Sequence, residues 1–158
     1  MKEKEVLIII PAYNEAANIG KVLDQLEKPE ISDIADILVM NDASVDATNW
    51  LVKARGHAIV THVFNLGYGS GIQLGYKYAV RRGYKYVIQM DADGQHDAKY
   101  IPELIAQVEA GNNLVIGSRF LEKQGFQSTF IRRIGISLYS AIIKIFTKKI
   151  VKDTTSRI

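Results

Sequence analysis

Asp91 and Asp93 stand two residues apart, directly after the predicted strand Tyr86–Met90. In extended backbone the side chains of i and i+2 leave the chain on the same side, so this spacing would aim two carboxylates at one point. Two close anions repel, and one tends to keep its proton unless a cation lies between them. An all-oxygen donor set selects a hard divalent ion, Mg2+ or Mn2+. Mg2+ in particular is usually held by one or two carboxylates together with substrate phosphates. Gln95 and His96 follow closely enough to add a ligand or a contact. The alternative is a turn whose aspartates bind local backbone amides. That alternative is the better reading of such a short pattern standing alone; its place after a buried strand, among other polar clusters, favours a site.

Those clusters recur after each predicted strand. They are Pro11-Ala12-Tyr13-Asn14-Glu15, Asn41-Asp42-Ala43-Ser44, Asn65-Leu66-Gly67-Tyr68-Gly69, Asp91 to Asp97, and Ser118-Arg119. Ligands of open α/β sheets bind outside the carboxyl ends of the strands, so the clusters mark one binding edge. Gly67, Gly69 and Gly71 do not satisfy G-x-G-x-x-G, because Ile72 and Leu74 interrupt it, and no G-K-[ST] occurs. Neither a dinucleotide fingerprint nor a P-loop is present. Arg119, Arg132 and Arg133 are candidate phosphate partners through bidentate guanidinium bonds. His57 and His62 lack metal-ligand spacing and read as structural, and no G-x-S-x-G elbow is present.

The elements that must position these residues alternate. Strands are predicted over Glu5–Ile10, Asp36–Met40, Ala58–Val63, Tyr86–Met90 and Leu114–Gly117. Asn14 is placed to cap a helix with Glu15 in its first turn, and Ile19, Val22, Leu23 and Leu26 give that helix an apolar stripe. Further helices are expected over about Asp46–Arg55, Ile72–Arg82 and Ile101–Ala110, closed by Gly56, Gly83 and Gly111. The Gly-rich stretch from Asn65 to Gly71 reads as a loop. Short apolar strands alternating with helices imply a mostly parallel α/β sheet flanked by helices.

Composition sets the bounds. The 158 residues are enough for one domain with a sizeable core, and the absence of cysteine excludes disulfides and thiolate metal sites. The apolar run at the start is too short for a signal peptide, and Ile134–Phe146, interrupted by Lys144, is too short to span a membrane. Residues 1–130 carry thirteen Lys/Arg against sixteen Asp/Glu; residues 131–158 carry seven against one. The expected organisation is therefore a binding domain over 1–130 and a basic amphipathic helix over 131–158. That helix either lies on an anionic membrane surface or packs on the core with solvated lysines. No nucleic-acid partner is expected.

The clusters together resemble the family 2 glycosyltransferases, and among them the dolichyl- and polyprenyl-phosphate sugar synthases. The matching segments are Ile9 to Glu15, Val39 to Asp46, Asn65-Leu66-Gly67, Met90 to His96 and Ile116 to Arg119, in order and at matching spacing to about Arg133. The resemblance implies the GT-A fold and a nucleotide-diphosphate-sugar donor. It implies that Pro11, Tyr13 and Glu15 line the nucleotide pocket, that Asp42 contacts base or ribose, and that Ala92 lies beside the donor. It implies that Asp91, Asp93 and Gln95 hold Mg2+ or Mn2+, and that Arg119 and Arg133 bind phosphate of donor or lipid acceptor. Asp93 and Arg119 would be the residues nearest the chemistry. The expected reaction is inverting transfer, most simply to a polyprenyl phosphate at the cytoplasmic face of a membrane. An anionic phosphate needs no general base, and neither Glu122 nor Asp153 is a convincing one. Alternatives are transfer to a growing glycan, a sugar nucleotidyltransferase, or a non-catalytic nucleotide-binding module. Asp153-Thr154-Thr155-Ser156 begins like a D-x-T-x-G-F-R motif that Arg157-Ile158 breaks, so the sequence reads as a truncated member.

Overall fold

Seven consecutive residues, Val6–Ala12, are all buried and form β1, the strand the apolar run predicts. A computed structural model describes residues 4–117. β2 (Ala35–Asn41) pairs with β1 from Val6 opposite Ala35 to Ala12 opposite Asn41. β3 (Ala58–Thr61) pairs with the end of β2, and β4 (Tyr86–Gln89) with the other side of β1. All pairings are parallel, and the order is β3-β2-β1-β4. A strand in the middle of a parallel sheet is covered on both faces, which is why β1 needs apolar residues throughout rather than an alternating pattern.

Among the described residues, five α-helices cover the sheet: α1 (Ile19–Leu26), α2 (Pro29–Ser32), α3 (Thr48–Ala54), α4 (Tyr68–Arg82) and α5 (Ile101–Glu109), the last entered through a 3-10 turn, Ala98–Tyr100. Side chains alternate along β1. Val6, Ile8 and Ile10 pack with Val22, Leu23 and Leu26 of α1, Val52 of α3 and Ile105 of α5. Leu7 and Ile9 pack on the opposite face with Leu38, Met40 and Ala79 of α4. Each fully buried Leu or Ile contributes about 1.5–3 kcal/mol of transfer free energy, so β1 anchors two cores at once. The compact unit built by these elements ends at Val115.

Several local expectations are corrected. Asn14 does not cap α1. It sits at φ 55°, and the helix starts after Asn18, because the intervening residues bond the loop that follows β2. Asp46 precedes α3 and spends its carboxylate on Thr48 rather than lying in the helix. α4 begins at Tyr68, not Ile72, so Gly69 and Gly71 are helical. The small Gly71 suits the close packing there: a Cβ would lie 3.7 Å from Met40 and 3.9 Å from Pro11. Leu114–Gly117 forms no strand, and Leu114 is exposed. The 121–130 loop, the division at 130, the basic segment from Ile131, and Arg119, Arg132 and Arg133 lie outside the described residues.

Candidate functional site

The carboxyl ends of β4, β1 and β2 lie side by side, and the polar clusters follow them. The loops after β1 and β2 are joined residue by residue. Asn14 N–H donates to Ser44 Oγ at 2.9 Å, Val45 N–H to Asn14 Oδ1 at 2.9 Å, Glu15 N–H to Thr48 Oγ1 at 2.9 Å, and Ala16 N–H to Asp46 Oδ2 at 3.0 Å. Burial alone would raise the Asp46 carboxyl, but the Thr48 hydroxyl and amide and the Ala16 amide outweigh it and hold it below the usual carboxylate range. The clasp requires left-handed backbone at Asn14 (φ 55°) and Ala43 (φ 59°). Asparagine tolerates that region, whereas an alanine there costs about 1–2 kcal/mol. Pro11 is buried at the end of β1, Tyr13 projects with 48% of its surface exposed, and Glu15 is half-buried, accepting from Asn18 Nδ2 at 3.0 Å.

Asp42, one residue past β2, is buried and saturated. Its Oδ1 accepts from Leu66 N–H and from His62 Nδ1, both at 2.8 Å, and its Oδ2 accepts from Gly67 N–H at 2.8 Å. Desolvation pushes its pKa up, but the Leu66, His62 and Gly67 bonds prevail and hold it below the usual range. His62, expected to be merely structural, is thus the side chain that holds this carboxylate, and Asp42 in turn pins the loop that opens α4.

Asp91 follows β4 and is buried; Ala92 is buried beside it, while Asp93 and Gln95 are exposed. The backbone turns over residues 92–93 rather than continuing extended, so i, i+2 geometry does not describe the pair. The turn is closed by Gln95 N–H on Asp93 Oδ1 at 2.9 Å, with Gly94 at φ 76°. Asp91 N–H donates to Nδ1 of the buried His96 at 3.2 Å, which commits that nitrogen to the loop rather than to an ion. Tyr68 OH donates to Asp91 Oδ1 at 2.6 Å. Among the described residues no three His, Cys, Asp or Glu converge as a ready cage for a metal. The chemistry of the donor set still fits a hard ion, since one buried and one exposed carboxylate match the one or two protein carboxylates with which Mg2+ binds alongside phosphates.

The structure therefore brings Pro11, Tyr13, Glu15, Asp42, Asp91, Ala92, Asp93 and Gln95 to adjoining strand ends of one sheet. Sequence reasoning gave no site role to Tyr68, Gln89 or His62, whose contacts join residues 20 to 23 positions apart and follow from no local periodicity. The available signal was the Asn65-Leu66-Gly67 segment just before Tyr68.

Residues 7–156 match the family described as glycosyl transferase family 2. The polyprenol monophosphomannose synthase of Mycolicibacterium smegmatis is 32% identical over 126 residues, 75% of this chain and 46% of that protein. The undecaprenyl-phosphate mannosyltransferase of Micrococcus luteus is 36% identical over 121 residues, 72% of this chain and 48% of that protein. A crystal structure of glucosyl-3-phosphoglycerate synthase from Mycobacterium tuberculosis, holding Mn2+, UDP-glucose and phosphoglyceric acid, superposes with a TM-score of 0.63 at 20% identity, covering 92% of this chain and 51% of that one. The chain spans about half the length of the curated relatives it matches. Its parallel sheet, its flanking helices and these matches agree: the fold is GT-A, and the chain belongs to glycosyl transferase family 2.

Proposed function

We propose that the chain carries the donor site of an inverting, metal-dependent glycosyltransferase that moves a sugar from a nucleotide-diphosphate sugar to a polyprenyl phosphate. The observation that carries this reading is the gathering of Asp91 and Asp93 with Tyr13 and Asp42 at the carboxyl ends of β4, β1 and β2. Tyr13 offers an exposed ring on which a base can stack. Pro11 and Glu15 complete that wall. Asp42, kept anionic, holds Leu66 and Gly67 in place, so that its contribution to a base or ribose contact would be made through the loop it fixes. Asp91, Asp93 and Gln95 would hold Mg2+ or Mn2+, and Ala92 would lie beside the donor. When bound, the ion would neutralise charge on the departing diphosphate. The Mn2+ and UDP-glucose in the glucosyl-3-phosphoglycerate synthase structure support this assignment.

A polyprenyl-phosphate acceptor is supported by the named relatives, one a polyprenol monophosphomannose synthase and one an undecaprenyl-phosphate mannosyltransferase. An acceptor phosphate oxygen would bond to the anomeric carbon as the bond to the diphosphate oxygen breaks, and its electron pair leaves with the nucleoside diphosphate. The nucleophile is already anionic, so no residue need take a proton. Arg119 and Arg133 are proposed to bind phosphate of donor or acceptor. A lipid acceptor places the reaction at a membrane surface, with the cytoplasmic face as the proposed side; no helix among the described residues is long and apolar enough to cross a membrane.

Calorimetric titration of a nucleotide-sugar panel, with and without Mn2+, tests the donor claim and identifies the base. Asp93→Asn should abolish Mn2+-dependent binding while leaving the thermal melt in place. Wild-type affinity for UDP or GDP that is unchanged by EDTA would sink the metal assignment.

A further inference from the structure

We propose that Tyr68 is a positioning residue, which sets the orientation of Asp91 before any ion arrives. The proposal rests on the reading of Asp91 as a metal carboxylate. Tyr68 is the first residue of α4 and is 37% exposed, so its hydroxyl contacts matter more than its burial. The hydroxyl donates to Asp91 Oδ1 at 2.6 Å and accepts from Gln89 Nε2 at 2.9 Å. Gln89 Oε1 accepts from Tyr76 OH at 3.2 Å. A phenol carries a single proton. With an N–H arriving at its oxygen, that proton is directed at the carboxylate. The 2.6 Å separation is the length expected of an O–H bond to an anion. Tyr76, Gln89 and Tyr68 thus form a directed chain that ends on Asp91.

Tyr68 is itself held in place. Asp42 takes the amides of Leu66 and Gly67, the two residues before it, and Gly67 turns into the helix at φ 85°, a conformation that suits glycine. β2 and β4 flank β1 in the sheet. The start of α4 therefore links the carboxylate after β2 to the carboxylate after β4. His96 holds the Asp91 backbone through its amide, and Tyr68 holds the side chain. A carboxylate fixed this way meets an ion without first having to be ordered, which is the effect outer hydrogen-bond partners have on metal ligands.

The test uses the full chain, with Mn2+ as metal and UDP and GDP as nucleotide probes. For Tyr68→Phe, the Mn2+ concentration that gives half-maximal nucleotide binding should rise about tenfold, the lower end of what removing such a partner costs, while nucleotide affinity at saturating Mn2+ stays within about twofold of wild type. Gln89→Leu should shift the Mn2+ dependence the same way by less, because Tyr68 keeps its proton and loses only its direction. A residue that merely packs would lower the melting temperature without separating the two affinities. Wild-type Mn2+ dependence in Tyr68→Phe, alongside loss of binding in Asp93→Asn, overturns the role of Tyr68 and leaves the metal site standing. Divalent-independent binding by the wild type overturns the metal site and the role of Tyr68 with it. Should Tyr68→Phe not fold, an unchanged Mn2+ dependence in Gln89→Leu overturns the proposal.

Discussion

Asp42 shows how much one side chain does at this edge. Its two oxygens accept two backbone amides and an imidazole N–H, and no amide side chain can reproduce that set. In Asp42→Asn one oxygen becomes an NH2 group, which faces either the Gly67 amide or the Leu66 amide and His62, donor against donor. Hydrogen bonds to charged groups contribute about 1.5–3 kcal/mol, so urea denaturation at pH 7 should show a loss of about that size. The pH dependence has a definite sign. The folded-state pKa of Asp42 is depressed, so its contribution is present above the unfolded carboxylate value, about 3.9, and is lost as pH falls through the lower folded value. The gap between wild type and Asp42→Asn should therefore close as pH falls through the acid range below the unfolded value. The residue type and position of Asp42 were legible in the sequence. Its partners were not, since they lie 20 to 25 residues away on another loop.

At the scale of elements, α4 brings Tyr68 to Asp91 and lies close against β1. A Cβ added at Gly75 would meet Ile9 Cδ1 at 3.0 Å, Cγ2 at 3.1 Å and Cβ at 3.2 Å. Ile9 is fully buried in the central strand and cannot retreat. Gly75→Ala gains about 1 kcal/mol of helix propensity but incurs about 1–3 kcal/mol of overpacking. A net loss of about 1 kcal/mol in chemical denaturation is expected. Gly69, in the first turn of the same helix, meets nothing within 4 Å. Gly69→Ala should instead stabilise by up to about 1 kcal/mol. Opposite signs for two glycines of one helix would report the contact directly. The sequence showed the glycines as a loop because clustered glycine disfavours helix; packing against Pro11, Met40 and Ile9 decided otherwise.

Across the whole molecule, the sheet is pinned at its far end as well. Tyr84, just past α4, donates its hydroxyl to Asp36 Oδ2 at 2.8 Å, near the start of β2. Burial first, and then the Asp36 carboxylate, push the Tyr84 phenol up to about 12. A raised folded-state pKa means this stabilisation is complete below the unfolded value, about 10, and is lost as pH rises through about 12. Tyr84→Phe should cost about 1 kcal/mol at neutral pH, and its deficit against wild type should shrink in urea melts above pH 10. Taken alone, the sequence determined the alternation of strands and helices, the two-faced burial of β1 and the clusters at one sheet edge, including Asp91 and Asp93. These follow from local periodicity, from the need to bury apolar runs and from residue types that favour turns. Only the tertiary structure decided that β1 lies between β2 and β4, that residues 92–93 turn, that α4 starts at Tyr68, and that a tyrosine and a histidine hold Asp91. Hydrogen bonds between loops and the close approach of a glycine-bearing helix join residues far apart in the chain, and no local pattern encodes their distance.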